Sequence, residues 1–186
     1  NGATISVNSQ GTGVGGDITI QGSSLRLNNQ ASVVAQTAST DGGNITLNLN
    51  DRLILRNQSN LSATAAQFGN GGNITINSPF ILAVPQENSD ITANASQGSG
   101  GNINITTQGI FGIQFQDKPT PKSDITASSE FGLQGNVNII NPNADIINRL
   151  VELPENPVDV ASLIAENVCT TNEARGSSFV ITGRGG

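Results

Sequence analysis

Carboxylates are the side chains in this sequence with the clearest potential for catalysis. Asp90 and Asp124 occupy the same place in two copies of the motif Ser-Asp-Ile-Thr-Ala, and paired carboxylates can hydrolyse glycosides or hold a cation. However, the chain has no His, and six Phe are its only aromatic residues. No acidic pair lies within one predicted strand. The pattern therefore favours turn caps at both positions, and we expect no catalytic residues, no metal site and no cofactor.

Polar residues that follow glycines form a second candidate set. Successive members lie 27, 29, 29 and 34 residues apart, a period that is typical of repeat architectures. Asn tolerates left-handed geometry and can hydrogen-bond to the next Asn in a stack, while the glycines would supply the positive φ of a tight corner. We interpret the set as a structural corner ladder, with a row of ligands as the alternative. Its members are Asp17, Asn44, Asn73, Asn102 and Asn136.

A basic, proline-stiffened segment lengthens the last repeat. It consists of Lys118, Pro119, Thr120, Pro121 and Lys122. Because exposed loops often carry specific contacts, this segment is a candidate contact loop. The alternative is a tolerated surface insertion without a partner.

Each repeat predicts three short strands, each with one apolar face. Residues 74–76 alternate as in a half-buried strand, residues 53–55 predict a second strand, and residues 61–65 a third with smaller inward side chains. Residues 3–7 fit the third strand of a coil that the sequence enters part-way. Such faces are buried only when repeats stack in parallel. The sequence thus predicts an all-β fold, a three-sided parallel β-solenoid of about five coils over residues 1–140.

The period fails after residue 140, and residues 141–186 are interpreted as a C-terminal cap. Apolar residues at helical spacing predict a short helix near 158–168, and a strand is expected over 178–182. A cap would protect the open end of the solenoid from strand pairing. The sequence offers no equivalent cover at its start, so we expect either further coils before it or a docked molecule.

The terminal strand is also a candidate for assembly, since a neighbouring copy could recruit it by strand addition. Its residues are Phe179, Val180, Ile181 and Thr182. Cys169 is the single Cys, which excludes an intrachain disulfide.

The composition of the chain limits the classes of partner that it could bind. The net charge is −6 and the eight basic residues are scattered, which disfavours nucleic acid. No run of about 20 apolar residues is present to span a bilayer. The polar start enters the repeat pattern part-way and lacks a signal peptide, so we expect the sequence to be a piece of a longer protein.

Four features occur together along the chain. They are the Gly-Gly-Asn-Ile-Thr-Ile repeats, Ser-Asp-Ile-Thr-Ala at 89–93 and 123–127, Leu150-Val151-Glu152-Leu153-Pro154, and the terminal Ser178-Phe179-Val180-Ile181-Thr182-Gly183-Arg184-Gly185-Gly186. In this combination the chain resembles the C-terminal part of the filamentous-haemagglutinin-like exoproteins of two-partner secretion, especially the large cyanobacterial members. The resemblance implies a right-handed parallel β-helix, export by a signal peptide, passage through an outer-membrane partner, and a role in adhesion or matrix. The family's N-terminal secretion domain is missing from this sequence.

We therefore expect a secreted, non-enzymatic structural or adhesive β-solenoid of the cell surface or extracellular matrix. One alternative is a subunit of a self-assembling extracellular filament that stacks end to end or by strand addition. A second is a carbohydrate-active β-helix enzyme. The expected partners are other copies through the solenoid ends, a cell-surface or matrix polysaccharide, and the outer-membrane secretion partner during export; nucleic acid is not expected.

Overall fold

The computed structural model describes residues 2–13, 15–38 and 40–142. Within these ranges the chain is a parallel β-solenoid of about four turns, as the all-β prediction required. Its strands are β1 (Thr4–Ser6), β2 (Ile18–Leu27), β3 (Ser32–Val34), β4 (Ile45–Leu55), β5 (Asn60–Ser62), β6 (Ile74–Asn77), β7 (Phe80–Leu82), β8 (Asp90–Thr92), β9 (Asn102–Thr106), β10 (Gly109–Phe111), β11 (Gln114–Phe115), β12 (Asp124–Thr126) and β13 (Asn136–Ile140). A single 3-10 turn, η1 (Pro85–Glu87), is the only helical element among the described residues.

The first sheet covers two successive sides of each turn, in the order β10-β7-β4-β6-β9-β13, with β2 also paired to β4. In the first two turns β2 and β4 run through both sides without a break, whereas separate strands had been predicted. In the third turn two strands, β6 and β7, cover these two sides. Pro79 lies between them and interrupts the ladder because it lacks a backbone N–H. β4 therefore pairs with β6 through one half and with β7 through the other.

The second sheet forms the third side, in the order β1-β3-β5-β8-β12-β11. β1 pairs in parallel with β3, which agrees with the prediction that residues 3–7 belong to a third strand. A column of isolated parallel bridges extends this side toward the next corner. It joins Ser9, Thr37, Ala65, Ala95 and Ser129.

The core is a stack of aliphatic ladders. Ile45 lies in register between Ile18 and Ile74, and Ile74 is followed by Ile103. The largest fully buried side chains are all Ile or Leu: Ile45, Leu47, Leu53, Leu55, Leu61, Ile74, Ile76, Ile81, Ile91, Ile103, Ile105 and Ile125. Stacking thus removes from water the apolar face that no single repeat could bury.

The reason for the paired glycines differs from the one predicted. Among the described residues Gly112, with a φ of 73°, is the only glycine with positive φ. At Gly72 a Cβ atom would lie 2.0 Å from the carbonyl oxygen of Gly43, and at Gly101 it would lie 2.0 Å from that of Gly72. Close approach of successive turns, not left-handed geometry, therefore requires glycine at this corner.

The structure has about four turns where about five coils were predicted, and β1 and β13 belong to incomplete turns. The right-handedness of the coil stays a prediction. The proposed helix near 158–168, the terminal strand with Phe179, Val180, Ile181 and Thr182, and Cys169 all lie outside the described residues.

Candidate functional site

The corner ladder is a chain of hydrogen bonds that links one turn to the next. The Oδ1 atom of Asp17 accepts bonds from the backbone N and the Nδ2 atom of Asn44, at 2.9 and 3.0 Å. Asn44 Oδ1 accepts the same two bonds from Asn73, at 3.1 and 2.9 Å. Asn102 Nδ2 donates to Asn73 Oδ1 at 2.9 Å. Asn136 follows in register above Asn102.

A second ladder, which was not among the residues predicted from the sequence, runs beside the first. Asp41 Oδ1 accepts bonds from the backbone N and Nδ2 of Asn70, at 2.8 and 3.1 Å. Asn70 Oδ1 in turn accepts a bond from the backbone N of Ser99 at 2.8 Å. The signal was present in the sequence, since Asp41, Asn70 and Ser99 each stand immediately before a glycine pair.

The two ladders border a groove along the glycine corner, which we call the corner groove. It has a volume of about 520 Å³. Its lining residues are Asp41, Gly42, Asn44, Asn70, Gly71, Gly72, Asn73, Ser99, Gly100, Gly101 and Asn102. Since a Cβ atom would clash at the glycine pairs, the floor is bare backbone between two rows of polar side chains.

Exposed phenylalanines lie in the bends between the third side and the corner groove. Phe68 and Phe131 are 68% and 74% exposed, and Gln97 lies between them in the intervening turn. The three residues precede glycines that stack on one another, since a Cβ atom on Gly98 or Gly132 would lie 2.3 Å from the carbonyl oxygen of the glycine below. The sequence predicts no aromatic platform, because six Phe are its only aromatic residues.

A different corner contains an ion pair between turns. Arg56 Nε donates to Glu87 Oε2 at 2.6 Å and its Nη2 donates to Oε1 at 2.7 Å. The backbone N of Asn57 also donates to Glu87 Oε2, at 2.9 Å. The Arg56 and Asn57 hydrogen bonds hold the pKa of Glu87 at about 2, below its ordinary 4.5.

The same corner holds every described non-glycine residue with positive φ. These residues are Asn29, Gln30, Asn57, Gln58 and Asn88, with φ between 49° and 65°. An Asn-Gln pair thus turns the chain in each of two successive turns, and Gln30 Nε2 donates to Gln58 Oε1 at 3.2 Å. The repeated Asn-Gln pair is present in the sequence. It did not predict a left-handed turn, because Gln rarely adopts left-handed geometry.

Asp90 and Asp124 lie in adjacent turns and cap backbone groups. Asp90 Oδ1 accepts a bond from the backbone N of Asp124 at 2.9 Å, and Asp124 Oδ2 accepts one from the backbone N of Thr120 at 2.6 Å. Burial raises the pKa of Asp90; the bond from Asp124 opposes the rise, and the Asp124 charge adds to it. Within the described residues no group of three or more His, Cys, Asp or Glu is placed to hold a metal ion.

The candidate contact loop, residues 118–122, is tied to the solenoid beneath it. With its amide nitrogen turned toward the loop, Asn88 donates to the carbonyl oxygens of Thr120 and Lys122 at 3.1 and 3.0 Å. The residues before the loop form β11, which adds a strand to the third side beyond β12. Both lysines are nevertheless exposed and remain open to contact.

No protein-family model, no curated protein and no solved structure matches this chain. In the part of the chain that the structure describes, no helix has the length and apolar character needed to cross a membrane.

Proposed function

We propose that this chain is part of a secreted, non-enzymatic exoprotein that acts as a stiff adhesive element at the cell surface or in the extracellular matrix. The observation that carries the proposal is the pair of polar ladders. Hydrogen bonds join each turn to the next through side chains as well as backbone, so the solenoid resists bending at this corner and presents rows of amides to its surroundings.

The engagement of the carboxylates supports a structural role over a catalytic one. Glu87 is held in a bidentate ion pair, and Asp90 and Asp124 each accept a bond from a backbone N–H. Asp17 and Asp41 end the two ladders as acceptors. A general acid must instead be free to exchange a proton with its substrate.

An adhesion assay tests this proposal. The purified chain would be applied to matrix extracted from the producing cells, and retention would be measured together with the release of reducing sugar. We expect retention without release of sugar. Release of reducing ends would favour the carbohydrate-active enzyme, and absence of retention would contradict the adhesive role.

Self-assembly is a second candidate, supported by an edge of the first sheet. β2 is ten residues long and, among the described strands, pairs with β4 alone. Unpaired strand edges can accept a strand from another molecule. Electron microscopy at high protein concentration tests this candidate: filaments would support it, and monodisperse particles would contradict it.

A further inference from the structure

We propose that the corner groove binds a linear, uncharged polysaccharide that lies along the solenoid axis. This inference rests on the proposed adhesive function and assigns to it a place and a class of ligand. Three properties of the groove carry it: unused hydrogen-bonding groups, exposed aromatic rings on the neighbouring stretch, and the sign of the charge.

The walls of the groove keep polar groups that the ladders do not use. An Asn amide has two N–H donors, and the ladder bonds of Asn70 and Asn73 each occupy one. Ser99 takes part in its ladder through the backbone N, and its hydroxyl forms no hydrogen bond with the described residues. Donors and acceptors in alternating rows suit a ligand that carries hydroxyl groups on both edges.

The repeat of the groove matches a polymer better than a small ligand. Neighbouring strands are spaced by about 4.8 Å, so the same polar groups recur at that interval along the axis. Phe68 and Phe131, two turns apart, are then separated by about 9.6 Å along the axis. Two aromatic rings exposed to water at this separation can stack on the C–H faces of two pyranose rings in the same chain, with an unstacked ring opposite Gln97 between them.

Charge favours a neutral polymer. The lining contains Asp41 and neither Lys nor Arg, and the chain as a whole carries a net charge of −6. Uronate carboxylates or sulfates would therefore be repelled. The bare glycine floor also lets a flat chain approach the backbone closely.

Affinity electrophoresis of the purified chain tests the inference. Native gels would contain laminarin, xyloglucan or galactomannan as neutral polymers, and alginate or polygalacturonate as acidic ones. We expect at least one neutral polymer to retard the chain and neither acidic one to do so. Retardation by acidic polymers alone, or by none of the five, would overturn the inference.

Two variants locate the binding. In the double variant Phe68→Ala/Phe131→Ala we expect affinity for the neutral polymer to fall about tenfold. Phe80→Ala/Phe111→Ala is the matched control, because those rings are also exposed, 40% and 56%, but lie on the second side. Unchanged affinity in the first variant, or an equal loss in the control, would place binding elsewhere and overturn the assignment to the groove.

Ser99→Ala tests the polar wall without breaking the ladder, since the backbone N still donates to Asn70. Loss of one hydroxyl bond should weaken binding about two- to tenfold, while the urea midpoint stays unchanged. An unaltered affinity would contradict a role for this wall. Loss of wild-type binding on addition of a chelator would show a cation bridge instead and would overturn direct hydrogen bonding.

The outcomes separate this inference from the proposed function. If the wild-type chain is retained on extracted matrix but binds none of the neutral polymers, the assignment of polysaccharide binding to the corner groove is contradicted, while the adhesive role is still supported. Chain that binds a neutral polymer in the gel but is not retained on the matrix would support the groove and contradict the adhesive role.

Discussion

At Gly72 the neighbouring turn leaves no room for a side chain. A Cβ atom there would meet the carbonyl oxygen of Gly43 at 2.0 Å and the carbonyl carbon of Gly42 at 2.8 Å. Both are backbone atoms that the ladder bonds hold in place, so neither can move aside without separating the turns. The spacing of the corner is thus fixed at the level of single atoms.

Gly72→Ala should therefore destabilise the chain by about 3 kcal/mol, at the upper end of the usual range for overpacking. Gly22→Ala is the control, because no atom lies within 4 Å of the corresponding Cβ position, and we expect its stability to change by less than about 0.5 kcal/mol. Urea denaturation would measure both. Similar midpoints for the two variants would contradict the close-approach explanation.

Asp90→Asn should stabilise the fold at pH 7. The raised pKa of Asp90 means that the folded state disfavours the ionised carboxylate. This penalty is present above the folded pKa and disappears as the pH falls below the ordinary value of 3.8. The side-chain oxygen of Asn can still accept the bond from Asp124, and Asn60 already occupies the equivalent place one turn earlier.

Thermal unfolding of Asp90→Asn at pH 7 and pH 3 would measure this effect, with the exposed Asp117→Asn as a control for net charge. We expect an advantage at pH 7 that shrinks at pH 3, and no comparable change in the control. A variant that is less stable than the wild type at pH 7 would show that the charge itself is needed.

Residue identities predicted the interior well and the corners less well. Strict alternation placed residues such as Ile74 and Ile76 inside, because a strand has a period of two. Phe68 and Phe131 lie outside the strands. Alternation of apolar and polar residues does not apply there, so it could not predict that these two side chains are exposed. The second ladder was predictable, since Asp41, Asn70 and Ser99 each precede a glycine pair.

At the scale of elements, the corner formed by η1 and the end of β4 joins the second and third turns. Arg56 follows β4 and Glu87 ends η1, so their bidentate pair bridges two turns at a place where the chain adopts left-handed geometry. The left-handed residues carry a conformational cost. The ion pair and the bond from Asn57 offset part of it.

Glu87→Gln should destabilise the chain at neutral pH, by an amount that depends on pH. Because the folded pKa of about 2 lies below the ordinary 4.5, the contribution of the carboxylate is complete above about pH 5 and is lost as the pH falls toward 2. The difference in unfolding free energy between wild type and variant should follow that course.

Glu130→Gln removes the same charge from a site that forms no salt bridge within the described residues, and serves as the control. Urea denaturation between pH 2 and pH 7 would provide the comparison. A difference for Glu87→Gln that stays constant across this range would contradict the assigned pKa.

The elements show where local sequence patterns reach their limit. Three strand stretches per turn follow from the repeat and from the apolar faces. In the longer final repeat the sequence predicts an exposed loop at residues 118–122, but it does not predict that the residues before the loop, Gln114–Phe115, pair as β11 beside β12. That pairing depends on which edge the stack leaves open, a property of the assembled turns that no single repeat contains.

At the scale of the whole molecule, the stack creates surfaces that no repeat has alone. A row of amides becomes a ladder, and two ladders become a groove, only when the turns lie in register. This arrangement supports the proposed adhesive role, since a contact repeated along the axis gains strength from each added turn.

Antibody labelling of the producing cells, before and after permeabilisation, tests the central claim of a surface or matrix protein most directly. An antibody raised against residues 2–142 should label intact cells or detect the protein in the medium. Permeabilisation should add little signal. Labelling that appears only after permeabilisation, with none in the medium, would contradict the account.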